Sequence, residues 1–422
     1  VTVFHVVPLP GAGHVNPMLP VAAELVRRGE EVHVWLPAPY AAAARATGAR
    51  YREVPEVPVP SPGRGRRGLR DLPQAVRTVR RIARTLRRPP EGVLAELGPD
   101  AVLVHDVMGL WARRVTTPRV AFSASTVTDG AGLAAGLAGP AARLLRRDPG
   151  AVRDRLLRSP LPRLLDRVPL PVNPGGAPAI VAVPRVLQPD ADRFGPEVVF
   201  VGPCLEPRPT EAADPLPDAL DGEARPLVLV ALGSAFNDRP EFYRACAAAF
   251  AGRPWRVVMA IGERTDPAAL GPPAENVTVA RTVPQLRLLE RAAAFVSHAG
   301  MGSVQESLAA GVPLVLFPQM TEQRANARRV AEHGAGVLLG PAPTPGEIRA
   351  AVERVVSDPA VAAAVAGLRE AARTAGGQRR AADVLQELAA AAAGNERRPE
   401  GVARHGGRRA AAGEGTSCRT GA

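Results

Sequence analysis

Lysine is absent from this 422-residue chain, so all 53 of its strongly basic side chains are arginine. Alanine, proline and glycine are abundant as well, a pattern of GC-rich coding more than of selection for phosphate contacts. Aromatics make up only 4% of residues, which leaves no ladder of rings to stack nucleobases along a bound strand. The net charge of +12 is local: residues 61–90 hold ten arginines against one aspartate, residues 394–422 hold six against three glutamates, and the two segments together equal the whole excess. Such a run reads as a solvated face, or as a rim steering an anionic substrate into a cleft, and no nucleic-acid partner is expected. Cysteine is scarce. Cys204, Cys246 and Cys418 are far apart and odd in number, which argues against a disulfide framework or a zinc knuckle and suits a reducing cytoplasm. No apolar run reaches the roughly 18 residues of a membrane span, so no integral membrane association is expected. The apolar residues 1–7 lack a basic flank and read as a first strand with no secretory signal.

What is present is a globular composition, 46% hydrophobic and 22% charged, at a length that accommodates two cores. The first half alternates β-branched runs with helical patterns. Strands are expected at 2–7, 31–36, 51–54, 101–104 and 119–122, with helices at 17–28, 39–47 and 73–86. Pro17 is read as a helix start and Gly29 as its stop. Residues 130–175 are broken by prolines and form the least regular part. Residues 203–226, rich in Pro, Glu, Asp and Ala, read as a linker. A second rhythm follows, with strands at 227–231, 256–260, 277–279, 293–296, 313–317 and 336–338 and helices at 241–250, 283–289, 303–310, 321–333, 345–355, 359–371 and 379–392. The fold class is therefore α/β, two parallel-sheet units whose strand ends meet at a crevice. The domains are expected at 1–202, 227–378 and a returning helix at 379–393, with 394–422 as a disordered tail.

Phe295-Val-Ser-His-Ala-Gly-Met-Gly-Ser-Val-Gln-Glu306 carries the densest chemistry. A strand runs into His298, Gly300 and Gly302 permit close backbone approach, and a helix starting near Ser303 offers free N–H groups and a positive dipole end to a diphosphate. Glu306 suits a ribose diol. A capped helix, with Ser303 as N-cap and Glu306 closing a capping box, is the competing reading. Three neighbouring strand ends add to the first reading. Gly233-Ser234 opens an anion-facing loop, Arg281 to Gln285 presents backbone to a base edge, and Glu322-Gln323 forms an acid–amide pair able to read sugar hydroxyls.

Near the start, Pro10-Gly-Ala-Gly-His-Val-Asn-Pro17 places His14 at the edge of the first sheet, on a glycine loop without the third glycine of a dinucleotide fingerprint. A core histidine is the plain alternative. Asp106, at the end of strand 101–104, offers a partner that would fix the tautomer and support the imidazolium formed when the ring takes a proton. His105 is the local rival, on the opposite face by strand alternation.

These residues resemble the bacterial macrolide-glycosyltransferase group, within the nucleotide-sugar-dependent natural-product glycosyltransferases. The resemblance runs to about residue 390 and is strongest at 11–17, 105–106 and 229–336. It implies the GT-B fold, two Rossmann-like parallel-sheet domains facing each other across a cleft. It also implies an inverting, metal-independent reaction with a UDP- or dTDP-sugar as co-substrate and no permanently bound cofactor. By this resemblance His298, Ser303, Gly302 and Ser234 contact the diphosphate, Glu306 the ribose, Val283 and Gln285 the base, and Glu322 with Gln323 the sugar. His14 is the base and Asp106 its orienting acid. Val283 stands where plant-like members have tryptophan, and Glu322 where an aspartate often stands. Acceptor contacts are expected from Met108, Trp111, Ser125 and Thr126, with Leu110 beside them.

The leading expectation is an O-glycosyltransferase moving a hexose from a UDP-sugar, UDP-glucose first, to a small hydrophobic acceptor such as a macrolide or polyphenol. It would serve detoxification, self-resistance or tailoring biosynthesis, as a cytoplasmic monomer or homodimer. The alternatives are a dTDP-deoxysugar-dependent O-, N- or C-glycosyltransferase of antibiotic biosynthesis, and a non-catalytic nucleotide-sugar-binding auxiliary protein.

Overall fold

Short strands, apolar and buried on both faces at the sheet centres and partly exposed at the edges, build two all-parallel sheets in the computed structural model, which describes residues 1–56, 86–127, 178–207, 220, 222–234 and 237–396. The first sheet contains β1 (Val3–Val7), β2 (Glu31–Leu36), β3 (Arg50–Glu53), β4 (Val102–Asp106), β5 (Arg119–Ser123), β6 (Ala179–Val181) and β7 (Val198–Phe200), in the order β3-β2-β1-β4-β5-β6-β7. The second contains β8 (Leu227–Ala231), β9 (Arg256–Ala260), β10 (Val277–Ala280), β11 (Ala292–Ser297), β12 (Leu314–Leu316) and β13 (Gly336–Leu338), in the order β10-β9-β8-β11-β12-β13. In each sheet the strand order reverses once, between β1 and β4 and between β8 and β11. Ligands of open α/β sheets sit outside the strand ends at such a reversal.

The helices are α1 (Ala12–Arg27), α2 (Ala41–Ala46), α3 (Val93–Glu96), α4 (Pro240–Phe250), α5 (Gln285–Leu289), α6 (Met301–Ala310), α7 (Thr321–Glu332), α8 (Pro345–Ser357), α9 (Pro359–Thr374) and α10 (Gly377–Glu396). Alternation along β1 sends Phe4 and Val6 into a core shared with Val15, Met18, Ala22 and Leu25 of α1, while Val7 packs on the other face with Trp35, Leu103 and Trp111. The last helix, α10, returns to this first core through Ala381, Ala382 and Leu385. Arg28, at the end of α1, fixes it there, donating to Glu24, Asp383 (2.7 Å), Gln386 (2.9 Å) and the carbonyl of Arg379 (3.0 Å).

Three sequence expectations need correction. Helix α1 starts at Ala12 and not at Pro17, so Pro17 and Pro20 lie inside it. Each proline lacks the N–H of an intrahelical bond. That loss is outweighed because the buried stripe Val15, Met18, Ala22, Leu25 keeps helical spacing across both prolines. Helix α6 likewise starts at Met301, with buried Met301 and Val304 extending its inner face. Strands β6 and β7 were not anticipated, since three residues each are too few to show a period. The helix expected at 73–86 lies almost entirely outside the described residues. The same holds for most of 130–175, much of the 203–226 linker and the tail beyond 396.

Candidate active site

Both sheet reversals carry polar side chains, and the two groups face each other. Helix α1 comes against α6 across the cleft, and the Ser125 hydroxyl, after β5, donates to Glu322 on α7 at 2.9 Å. Behind them Arg329 and His333 reach the carbonyl of Val186 at 2.8 and 3.1 Å.

On the first side, His14 rides the opening turn of α1, where the Gly11 carbonyl accepts from the N–H groups of His14 and Val15. Asp106 ends β4, the strand beside β1. His14 Nδ1 lies 2.7 Å from Asp106 Oδ2, with the histidine side chain 35% exposed and the aspartate 4%. The second carboxylate oxygen, Oδ1, accepts from the Met108 N–H at 2.9 Å. An ionised carboxylate only accepts, so Nδ1 carries the hydrogen and Nε2 of the neutral ring is left as the acceptor.

The charges follow from these contacts. Burial by itself would lower the His14 imidazole, but the Asp106 charge and hydrogen bond, with the Glu322 charge beyond, raise it above its ordinary value. Burial would raise Asp106, and the His14 charge and hydrogen bond together with the Met108 N–H hold it below the usual carboxylate range. Burial instead lowers His5 to about 4, lowers His105, and lowers His298 to about 4. His14 alone among these four moves upward. His105 turns to the opposite face, beside the Trp111 ring, with Nδ1 2.9 Å from the carbonyl of Asp106.

On the second side, α6 begins after Gly300 with no side-chain cap, so the N–H groups of its first turn remain available to a ligand. This removes the capping-box alternative: Ser303 is the third residue of the helix, and Glu306 lies beyond its first turn. Glu306 is buried and accepts from Gln285 Nε2, which also lies 3.4 Å from Ser303 Oγ. The glycines divide their work. A Cβ at Gly233 would stand 2.7 Å from the His298 ring, and one at Gly300 would collide with His298 Nε2, so these two make room for the histidine. A Cβ at Gly302 would meet nothing within 4 Å, so the open space lies there. Between His298 and Gly300, Ala299 is left-handed at φ 63°. Its carbonyl accepts from Asn326 at 3.1 Å and its N–H donates to Ser297 Oγ at 3.2 Å. His298 Nδ1 is buried without a partner among the described residues.

Ser234 is exposed at the end of β8, and Val283 is half-buried against the second core. Glu322 is exposed at the start of α7. The Gln323 amide oxygen is already committed to the N–H groups of Gln319 (2.8 Å) and Met320 (3.3 Å), so it holds the turn before α7. Met108 and Thr126 are half-buried, the former beside Asp106. Trp111, expected as an acceptor contact, is 6% exposed and packs with Val7, Trp35 and Leu103. Sequence reasoning missed the supports. Asn326 binds both Glu322 and Ala299, and Asn237 Nδ2 holds the carbonyl of Gly233 at 2.8 Å. The four-residue spacing of Glu322 and Asn326 on one helix face was the available signal for the first. Among the described residues no three His, Cys, Asp or Glu side chains gather as metal ligands, and no helix is long and apolar enough to cross a membrane.

Known proteins share this framework. The family model described as erythromycin biosynthesis protein CIII-like, C-terminal domain, matches residues 254–390. An NDP-glycosyltransferase of Bacillus licheniformis is 40% identical over 215 residues, 50% of this chain and 54% of its own, so the match spans about half the length of that relative. Oleandomycin glycosyltransferase of Streptomyces antibioticus is 34% identical over 397 residues, covering 89% of this chain and 88% of its own. Demethyllactenocin mycarosyltransferase of Streptomyces fradiae is 32% identical over 409 residues, covering 90% and 85%. The crystal structure of the calicheamicin glycosyltransferase CalG4 superimposes with a TM-score of 0.68 at 32% identity, covering 92% of this chain and 98% of that one.

Proposed function

The chain belongs to the nucleotide-sugar-dependent glycosyltransferases related to the macrolide and antibiotic enzymes, with their GT-B fold, and from that premise we propose that it transfers a sugar, with inversion, to a hydroxyl of a small hydrophobic natural product. The observation that carries this reading is the His14–Asp106 pair facing the uncapped start of α6 across one cleft. An acceptor hydroxyl gives its proton to His14 Nε2 as its oxygen attacks the anomeric carbon from the side opposite the nucleotide. Asp106 holds the ring and stabilises the imidazolium, an arrangement of general-base type that contributes roughly 10²–10⁴-fold in rate. The departing diphosphate gathers charge at the start of α6, where free N–H groups and about half a positive charge from the helix dipole receive it. His298 is neutral near pH 7, because burial lowers it to about 4, so it serves as a hydrogen-bonding group and not as a cation. Ser303, Gly302 and Ser234 complete the diphosphate seat, Glu306 and Gln285 the nucleoside end with Val283 beside it, and Glu322 the sugar.

The donor follows less from the base than from the sugar seat. The family resemblance of the motifs places a UDP-hexose first. The alternative, a deoxysugar donor, has the better support, since a relative covered over most of its length is named a mycarosyltransferase, and mycarose is a deoxysugar. The UDP-hexose reading keeps one observation in its favour, the exposed Glu322 carboxylate, which suits a sugar hydroxyl. A non-catalytic binder would have no use for the His14–Asp106 pair. The test is a panel of UDP-glucose, dTDP-glucose and dTDP-deoxysugars against macrolide and polyphenol acceptors, read by mass. A gain of one sugar residue is expected, and no product from any pair would overturn the reading.

A further inference from the structure

Two side chains from different elements close on one residue between β11 and α6. Ala299 is fully buried; its N–H donates to Ser297 Oγ at 3.2 Å, and its carbonyl accepts from Asn326 Nδ2 of α7 at 3.1 Å. Both partners are buried as well. The same Asn326 nitrogen lies 3.4 Å from Glu322 Oε1, so each of its two N–H groups has an acceptor. Ala299 needs such a hold. At φ 63° it is left-handed, a region where the Cβ of an L-residue crowds the following carbonyl and which an alanine keeps only when its surroundings over-determine it. Without the hold, the peptide linking Ala299 to Gly300 would rotate.

That peptide belongs to the ligand end of α6. It is planar and trans, so its carbonyl and its N–H point in opposite directions. With the carbonyl turned to α7, the Gly300 N–H lies on the other edge of the plane, and no acceptor among the described residues takes it. Gly300 immediately precedes α6, so this N–H is the first of the four that a helix start leaves unpaired. Rotating the peptide would turn that N–H away and move Gly300, which lies close against the His298 ring.

We infer that Asn326 is a positioning residue for the diphosphate: by holding the Ala299 carbonyl it keeps a buried alanine left-handed and the Gly300 N–H presented with those of α6. This rests on the reading of the α6 start as the diphosphate seat. Asn326 acts here through the backbone and not by touching the ligand. The alanine is what makes the asparagine necessary, because a glycine enters the left-handed region without steric cost.

The experiment is a double-mutant cycle of Asn326→Ala and Ala299→Gly, read by calorimetric titration with dTDP and UDP and by thermal melts. Asn326→Ala is expected to weaken binding of the preferred nucleotide by about tenfold, the effect of a left-handed alanine no longer held. In the Ala299→Gly background the same change should weaken it by about threefold or less. A lowered melting temperature with nucleotide affinity unchanged would make Asn326 merely structural and overturn the inference. An equal loss in both backgrounds would assign the effect to the Glu322 contact and overturn it too. If Asn326→Ala does not fold, Ser297→Ala, which frees the Ala299 N–H, takes its place in the cycle, and the same outcomes count for and against. Failure of the wild type to bind either nucleotide overturns the parent reading and this one with it.

Discussion

His14 and His298 both stand at sheet edges, and their surroundings drive them in opposite directions. A buried carboxylate raises the first, while burial lowers the second to about 4. A base must be deprotonated to act, so activity falls as pH drops through the His14 pKa, and that limb lies above the ordinary value near 6.5. The Glu322 charge contributes to the rise, so Glu322→Gln should move the acid limb of kcat/KM to lower pH. An unmoved limb would detach Glu322 from the base. The His14–Asp106 pairing was legible because both residues follow neighbouring strands of a parallel sheet, where chain separation does not matter. The packing of Trp111 with Val7, Trp35 and Leu103 was not, because an apolar side chain carries no mark of which face of the sheet it fills. Nor could the sequence separate Gly300, which clears His298, from Gly302, which opens onto free space.

That difference belongs to the start of α6 and can be tested there. Gly302→Ala adds a methyl where nothing lies within 4 Å and improves helix propensity, so stability should rise by roughly 0.5–1 kcal/mol. Nucleotide affinity should fall, because the methyl enters the space a diphosphate approaches. Gly300→Ala should instead destabilise by about 1–3 kcal/mol, since its methyl collides with the His298 ring. Thermal melts and calorimetric titration with dTDP check both, and equal effects of the two variants on both readouts would remove the distinction. The element types were readable from periodicity, while the starts of α1 and α6 were not. Local signals, Pro17 as a first helical residue and Ser303 as a cap, pointed inward of the true ends. Burial of Val15 and of Met301 carried each helix outward, toward the cleft.

In the whole molecule the same topological reversal occurs twice, and in the proposed reaction the first would supply the base and the second a place for the leaving group. Two parallel-sheet units meeting at a crevice could be read from the alternation of strands and helices; the contacts between them, such as Ser125 with Glu322, could not, because a residue's sequence position does not show which partner it meets across a cleft. The return of α10 to the first core ties the far end of the chain to the helix that bears His14. Arg28→Ala removes the donor to Asp383, Gln386 and the Arg379 carbonyl, and should cost about 1–3 kcal/mol in denaturant melts; no loss would show that α10 is held by apolar packing alone. If the backbone N–H groups and the dipole of α6 meet the departing charge, as proposed, transfer should persist in excess EDTA, and strict dependence on a divalent ion would contradict that role. The most direct measurement is single-turnover sugar transfer by His14→Ala at saturating nucleotide sugar, with dTDP or UDP affinity measured alongside. Transfer should fall by roughly 10²–10⁴-fold with nucleotide affinity retained, and transfer at the wild-type rate would show that His14 is not the base.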